Sequence, residues 1–278
     1  MAVISVCSAL VLSACSANHL QAVELDGQSL SRQLLAHWAF DDQAGSVAHD
    51  DSGNQRDGQL TGGTWLSDGQ FAGALRLNDG EYVSVPRFPD VASGFTVSAW
   101  VRLTSYQQTA PNENQWTTVV STEQLGGWEI NVDHIAAEPE LHFGFWKGPA
   151  QGDYVGHSCG GVSLGKWIQI AGVVDPSSAV PTFTVYLNGS PCYQATTPNR
   201  IVPGSPTLTI GQWPSGGRFL VGDVDDIAIW GRALVPAEVA LLTQAPPVPP
   251  EPVQNAPYTQ ARLGGLRMEK HRLTNQGQ

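Results

Sequence analysis

Nine residues, Phe95-Thr-Val-Ser-Ala-Trp-Val-Arg-Leu103, alternate without a break. Phe95, Val97, Ala99, Val101 and Leu103 fall on one side, and Thr96, Ser98, Trp100 and Arg102 on the other, the period of a half-buried antiparallel strand. Such a strand needs a second layer to cover its apolar face, so the chain must build a packed sheet. The same kind of run recurs at Trp116 to Thr122, Gly127 to Asp133, Leu141 to Trp146, Trp167 to Val174 and Thr182 to Leu187. With 30 Gly and 19 Pro among 278 residues punctuating these runs, the covering layer is another sheet and the domain is all-β. Ala74 to Leu77 and Tyr82 to Val85 flank Asn78-Asp79-Gly80, which predicts a hairpin.

The stretch Phe219 to Leu234 reads as the closing strand, with a tight exit at Gly231. Ile227 and Ile229 alternate with Ala228 and Trp230, and counting back by twos places Asp225 on the isoleucine face. A carboxylate there requires a partner. Pro236 and Glu238 then start a short helix predicted to end near Thr243. Between the strands lie two long polar loops, Ser105 to Gln115 and Lys147 to Gly161, the second holding Tyr154, His157 and Cys159. Long loops on a rigid sandwich are where binding residues concentrate.

Blocks along the chain share a further likeness: His37-Trp-Ala-Phe-Asp-Asp, Asp50-Asp-Ser-Gly-Asn54, Gly73-Ala-Leu-Arg-Leu, Tyr82-Val-Ser-Val-Pro and Phe95-Thr-Val-Ser-Ala-Trp-Val. Lys166-Trp-Ile-Gln-Ile-Ala, Val185-Tyr-Leu-Asn-Gly, Leu208-Thr-Ile-Gly and Val224-Asp-Asp-Ile-Ala-Ile-Trp-Gly-Arg-Ala-Leu continue it. Their order resembles the laminin-G-like, concanavalin A-like jelly-roll domains of bacterial surface proteins. The resemblance implies a two-sheet antiparallel jelly roll over about residues 34–244, with a short C-terminal helix. It leaves function open, because that sandwich serves lectins, adhesion modules and glycoside hydrolases alike.

The ends carry address signals. Residues 1–14 read as an export signal, too short in its apolar part to span a bilayer as a helix, although no Lys or Arg precedes that part. Leu12-Ser-Ala-Cys15 resembles the bacterial lipobox, which implies lipidation of Cys15, a linker over 15–33, and an outer-membrane lipoprotein facing the periplasm or the cell surface. Cys159 and Cys192 are then an even pair in an oxidising compartment, either a disulfide or two buried thiols. Residues 245–278 begin as a stiff proline-rich spacer and end in a basic tail, read as disordered. A net charge of −11 argues against nucleic acid or an anionic membrane surface as an electrostatic partner.

Three constellations bear on chemistry. Asp50, Asn54 and Asp225 match family positions that converge, and Asp79 in its turn adds a fourth oxygen donor. They are candidate ligands for a structural calcium ion, with simple turn hydrogen bonding as the alternative. Glu129, Asn131 and Asp133 share one strand face, similar to the acid-bearing strand of laminarinase-type enzymes but with Asn in the middle and the last glutamate missing. A solvated strand face is the other reading, with Trp128, Ile130 and Val132 behind it. Finally, Trp116, Trp146, Tyr154 and Trp213 lie in or beside the long loops, where exposed rings stack on sugars, and Asn112, Asn114 and Gln115 offer polar contacts. Trp38, Trp128 and Trp230 read as core. The seven histidines lack metal-ligand spacing, and no nucleophile elbow or phosphate loop is present. The reading is a non-catalytic envelope protein that binds a glycan or a protein partner. A glycan-degrading enzyme and a purely structural envelope protein are the alternatives.

Overall fold

The computed structural model describes residues 27–91, 94–105, 116–134, 139–177, 180–197 and 201–247. The signal, Cys15, the tail beyond 247 and loop residues Asn112, Asn114 and Gln115 lie outside them. In chain order the elements are α1 (Gly27–Ser31), β1 (Leu34–Trp38), β2 (Val47–Ala48), β3 (Gly58–Thr61), β4 (Thr64–Leu66), β5 (Ala74–Leu77) and β6 (Tyr82–Pro86). Next come β7 (Phe95–Leu103), β8 (Trp116–Ser121), β9 (Trp128–Asp133), β10 (Glu140–Trp146), β11 (Tyr154–Gly161) and β12 (Ile168–Asp175). The described chain closes with β13 (Thr182–Leu187), β14 (Ser190–Thr196), β15 (Thr207–Ile210), β16 (Gly222–Trp230) and α2 (Pro236–Leu241).

These strands form two antiparallel sheets, as the alternation requires. The first runs β14-β13-β12-β7-β16-β5-β4, with β1 also on β16, and the second runs β11-β10-β9-β8-β15-β6-β3-β2. Between them the apolar series of β7 meets Trp128, Ile130 and Val132 of β9 and Phe143 and Phe145 of β10 in one core. Trp38, Trp128 and Trp230 are buried, as read from the sequence. The outer face of the first sheet is also covered. Trp230, Ala171 and Tyr186 pack there with Leu30, Leu234, Val239 and Leu242. Thr96, Ser98 and Trp100 of β7 are therefore buried too, rather than half-solvated. Residues 27–31, placed in the linker by sequence, are a helix that belongs to this layer, with the Trp230 indole donating to the Leu30 carbonyl.

Two expectations fail for reasons of backbone geometry. Asn78-Asp79-Gly80 does not close a hairpin: β5 pairs with β4 and β16, whereas β6 pairs with β3 and β15 in the other sheet. The turn is a corner between layers, held by Asn78 N donating to Glu81 and Glu81 N donating to the Asn78 carbonyl. The second failure concerns Asp225. Asp226 takes a positive φ of 42°, and the register between Asp225 and Ala228 carries one extra residue on β16. A bulge of this kind resets the alternation. Asp225 thus pairs with Trp100 on the outer face instead of joining the isoleucines. Its Oδ2 accepts from the amides of Gln70 and Phe71, and burial followed by the neighbouring Asp226 pushes it up to about 8.

Candidate functional site

The informative surface is the outer face of the second sheet, where β8 to β11 lie side by side. Registers place Thr118, Asn131, His142 and Ser158 in one row across the four strands. The next row is Ser121, Glu129, Gly144 and Gly156, followed by Trp146 opposite Tyr154. Position follows from strand alternation: on β9 the even residues Trp128, Ile130 and Val132 fill the core, so the odd ones face outward. They are not solvated, however. Glu129 is 5% exposed, Asn131 0% and Asp133 9%. The polar face is roofed by large rings.

Glycines make the roof possible. A Cβ on Gly144 would lie 2.1 Å from the Tyr154 hydroxyl, and one on Gly156 would lie 2.4 Å from His142 Nε2. The Tyr154 and His142 rings stack at 5.9 Å in the space those absent side chains leave, and Trp116 meets His142 edge-on at 4.7 Å. Because β9 separates the strands carrying Trp116 and His142, those two rings meet above it.

Beneath the rings runs a continuous hydrogen-bonded chain. Tyr154 Oη is 2.8 Å from Glu129 Oε1 and 2.8 Å from His142 Nε2. His142 Nδ1 is 2.9 Å from Ser158 Oγ, which donates to Asp133 Oδ2 at 2.8 Å. Burial pushes His142 down to about 4, keeping the imidazole neutral. Burial, then the Glu123 carboxylate, raises Glu129, against weaker opposition from Asn131, Tyr154 and Arg218. Burial and Glu129 together push the Tyr154 phenol well up.

Glu123, in the segment after β8, organises the mouth. It accepts the Trp146 indole N–H at 3.0 Å, the Trp213 indole N–H on its other oxygen, and the Leu125 amide. Arg218 lies over the Trp213 ring at 4.6 Å. Its Nη1 is 3.6 Å from Glu129 Oε2, an ion-pair distance too long for a hydrogen bond. Trp116, Glu123, Glu129, Trp146, Tyr154 and Arg218 line one open cavity of about 230 Å³. Two apolar ring faces with convergent carboxyl, guanidinium and phenol groups suit a polar ring-shaped ligand.

The four aromatic residues singled out by sequence thus gather at one place, Trp213 through Glu123 and Arg218. Tyr154 sits on edge strand β11 rather than in a loop; only 147–153 is loop, with a 3-10 turn at Gln151–Asp153. Cys159 and Cys192 form a disulfide between β11 and β14, edge strands of different sheets. The calcium quartet is not brought together. Asp50 accepts the amides of His37, Ser52 and Arg56, and Asn54 donates its amide N–H to the Leu34 and Leu35 carbonyls. Asp225 serves the 70–71 amides, while Asp79 is exposed in its corner turn. Among the described residues no group of three or more His, Cys, Asp or Glu is arranged to hold a metal. Sequence reading missed Glu123, His142, Ser158 and Arg218. Glycines at 144 and 156 were the available clue, but only the cross-strand register shows what they accommodate.

Comparison with known proteins agrees with the architecture. The family model Laminin_G_3, concanavalin A-like lectin/glucanases superfamily, matches residues 77–240. Domain 4 of AbnA, a GH43 extracellular arabinanase from Geobacillus stearothermophilus, solved in complex with arabinotriose, is similar with a TM-score of 0.56. The identity is 21%, over 76% of this chain and 98% of that one. The binding domain of Paraclostridial Mosquitocidal Protein 1 has a TM-score of 0.57 at 19% identity, over 77% and 52% of the two chains. The binding domain of Botulinum neurotoxin DC in complex with rat synaptotagmin II has 0.57 at 14%, over 77% and 52%. This chain spans about half the length of those toxin domains. At such identities the likeness is one of fold. The comparison with curated proteins gave no match.

Proposed function

The chain belongs to the concanavalin A-like lectin/glucanases superfamily, and from this we propose that it is a non-catalytic binding protein taking a glycan in the outer-face pocket. One observation carries the reading: the indoles of Trp146 and Trp213 are both fixed by Glu123 beside a cavity edged by Trp116 and Tyr154. Rings locked in place lose little entropy on binding, and a sugar ring covers an aromatic face while its hydroxyls reach the carboxyl and guanidinium groups. Similar structures that are binding domains, and an arabinanase domain solved in complex with arabinotriose, support it at the level of class. The test is a glycan-array screen of the mature chain alongside Trp116→Ala. Binding to a defined sugar, reduced at least about tenfold in the variant, is expected. Binding that ignores Trp116 overturns the assignment of this pocket.

The second part of the proposal is envelope attachment through a lipid on Cys15, supported by the Leu12-Ser-Ala-Cys15 sequence. The disulfide fits an oxidising compartment outside the cytoplasm. Radiolabelled palmitate is expected to enter the wild-type chain and not Cys15→Ser. Equal labelling of both would refute the anchor.

A further inference from the structure

The chain of hydrogen bonds under the pocket has a fixed proton requirement. It contains four contacts: Glu129 to Tyr154, Tyr154 to His142, His142 to Ser158, and Ser158 to Asp133. Each contact needs one proton between its two heavy atoms. The phenol, the serine hydroxyl and a neutral imidazole bring three. One more must be held by an end carboxyl or by a second protonation of His142.

The possible holders are chemically distinct. A doubly protonated His142 leaves three buried charges, an imidazolium between two carboxylates. Putting the proton on either carboxyl leaves only one, which burial favours strongly. The surroundings choose between the two ends. Glu129 faces the Glu123 carboxylate across the cavity, and Arg218 stays beyond hydrogen-bond distance. Asp133, at the other end, has two histidines near it, His142 and His134, while His157 of β11 lies on the opposite face of the sheet, paired with Phe143 and stacked on Tyr193. Asn131, between the two acids, has no standard hydrogen-bond partner for either amide atom, although it lies near enough to Glu129 to oppose its protonation.

We propose that Glu129, Tyr154, His142, Ser158 and Asp133 form a directional proton relay whose fourth proton resides on Glu129, so that the pocket presents a neutral acid to its ligand. The direction follows. Glu129 donates to Tyr154, Tyr154 donates to His142 Nε2, His142 Nδ1–H donates to Ser158, and Ser158 donates to the Asp133 carboxylate. Reversal moves the Glu129 proton to Tyr154 and the Tyr154 proton to His142, giving a carboxylate and an imidazolium with no proton lost. The consequence for ligand class rests on the glycan reading. With Glu129 neutral, Glu123 and Arg218 balance, and the pocket suits an uncharged, hydroxyl-bearing sugar over an amino sugar. Oε2 of Glu129 is buried without a hydrogen-bond partner, with Arg218 Nη1 at 3.6 Å.

The relay is tested without any ligand, by ¹⁵N-imidazole and ¹³C-carboxyl NMR of the mature chain. At neutral pH the expected result is a neutral His142 carrying its proton on Nδ1, with the Glu129 carboxyl carbon at the acid position. A proton on Nε2 places the extra proton at Asp133 and overturns the proposal, as does a doubly protonated ring. Tyr154→Phe keeps the ring but removes both of its contacts; Nδ1–H stays held by Ser158 while Nε2 loses the donor it accepts from, so the Nε2 shift must move while the tautomer holds. An unchanged Nε2 shift in that variant, or a switch of the proton to Nε2, also overturns it. The linkage has a definite sign. The protonated form is favoured in the folded state, so affinity for an uncharged probe such as arabinotriose falls as pH rises, by about tenfold per unit once Glu129 ionises. If neither arabinotriose nor a glucosamine trimer binds, the glycan reading fails while the NMR result on the relay stands by itself.

Discussion

Glu123→Ala is expected to cost about 2–4 kcal/mol of stability and to abolish ligand binding together. The side chain is 6% exposed and accepts three donors, two of them indole N–H groups. Removing it strips the Trp146 N–H, on a ring only 8% exposed, of its acceptor. Trp213 is half-buried and can turn to solvent, which carries Arg218 away from the pocket with it. Glu123→Gln is the graded control. One carbonyl oxygen still accepts an indole, while the amide NH₂ meets the other indole donor to donor, so its loss should be intermediate. Denaturant midpoints and ligand affinity measured on both variants check the order. Wild-type binding in Glu123→Ala would show that the rings are not held by this carboxyl.

Replacing both cysteines, Cys159→Ala with Cys192→Ala, is expected to lower stability by about 3–4 kcal/mol through loop-closure entropy alone. The bridge spans 33 positions in sequence. For a domain of this size that corresponds to a melting temperature lower by roughly 6–15 °C. The position of the bridge adds a second effect. β11 is an edge strand bonded only to β10, and it carries Tyr154 and Ser158, two members of the relay. The disulfide ties that edge to β14 of the other sheet, while the His157 and Tyr193 rings stack beside it at 3.6 Å. Ligand affinity should therefore fall with stability, and reducing agent should reproduce both effects in the wild type and neither in the double variant. A melt indifferent to reductant would count against the entropic account.

Some of this was legible before any coordinates. Strict alternation at Phe95 to Leu103 assigns core residues without knowledge of a partner, because a pleated strand has two faces and apolar groups leave water. The same logic placed Trp128, Ile130 and Val132 in the core and Glu129, Asn131 and Asp133 opposite them. Trp116, Trp146, Tyr154 and Trp213 were candidates on another ground, their place in or beside the long loops. Where local reading went wrong, a non-local fact intervened. Asp225 changed faces because one residue, Asp226, adopts a left-handed φ and its carboxylate is held by His37 Nε2 at 2.7 Å, 189 positions away in sequence. Asn78-Asp79-Gly80 has hairpin chemistry, but a turn sequence sets only the local bend, and the flanking strands found partners in different sheets.

The sequence by itself therefore determined which residues are apolar in period two, hence the two-layer sandwich and the identity of its core. Tertiary structure alone decided the register of β8 to β11, and the site depends on that register. Hydrogen bonds between strands are backbone interactions that carry no residue label, so Gly144 beneath Tyr154 and His142 between Tyr154 and Ser158 become visible only once the strands are paired. The face that looked solvated turned out buried for the same reason: burial is set by the rings contributed by neighbouring strands, not by the strand that carries the acids.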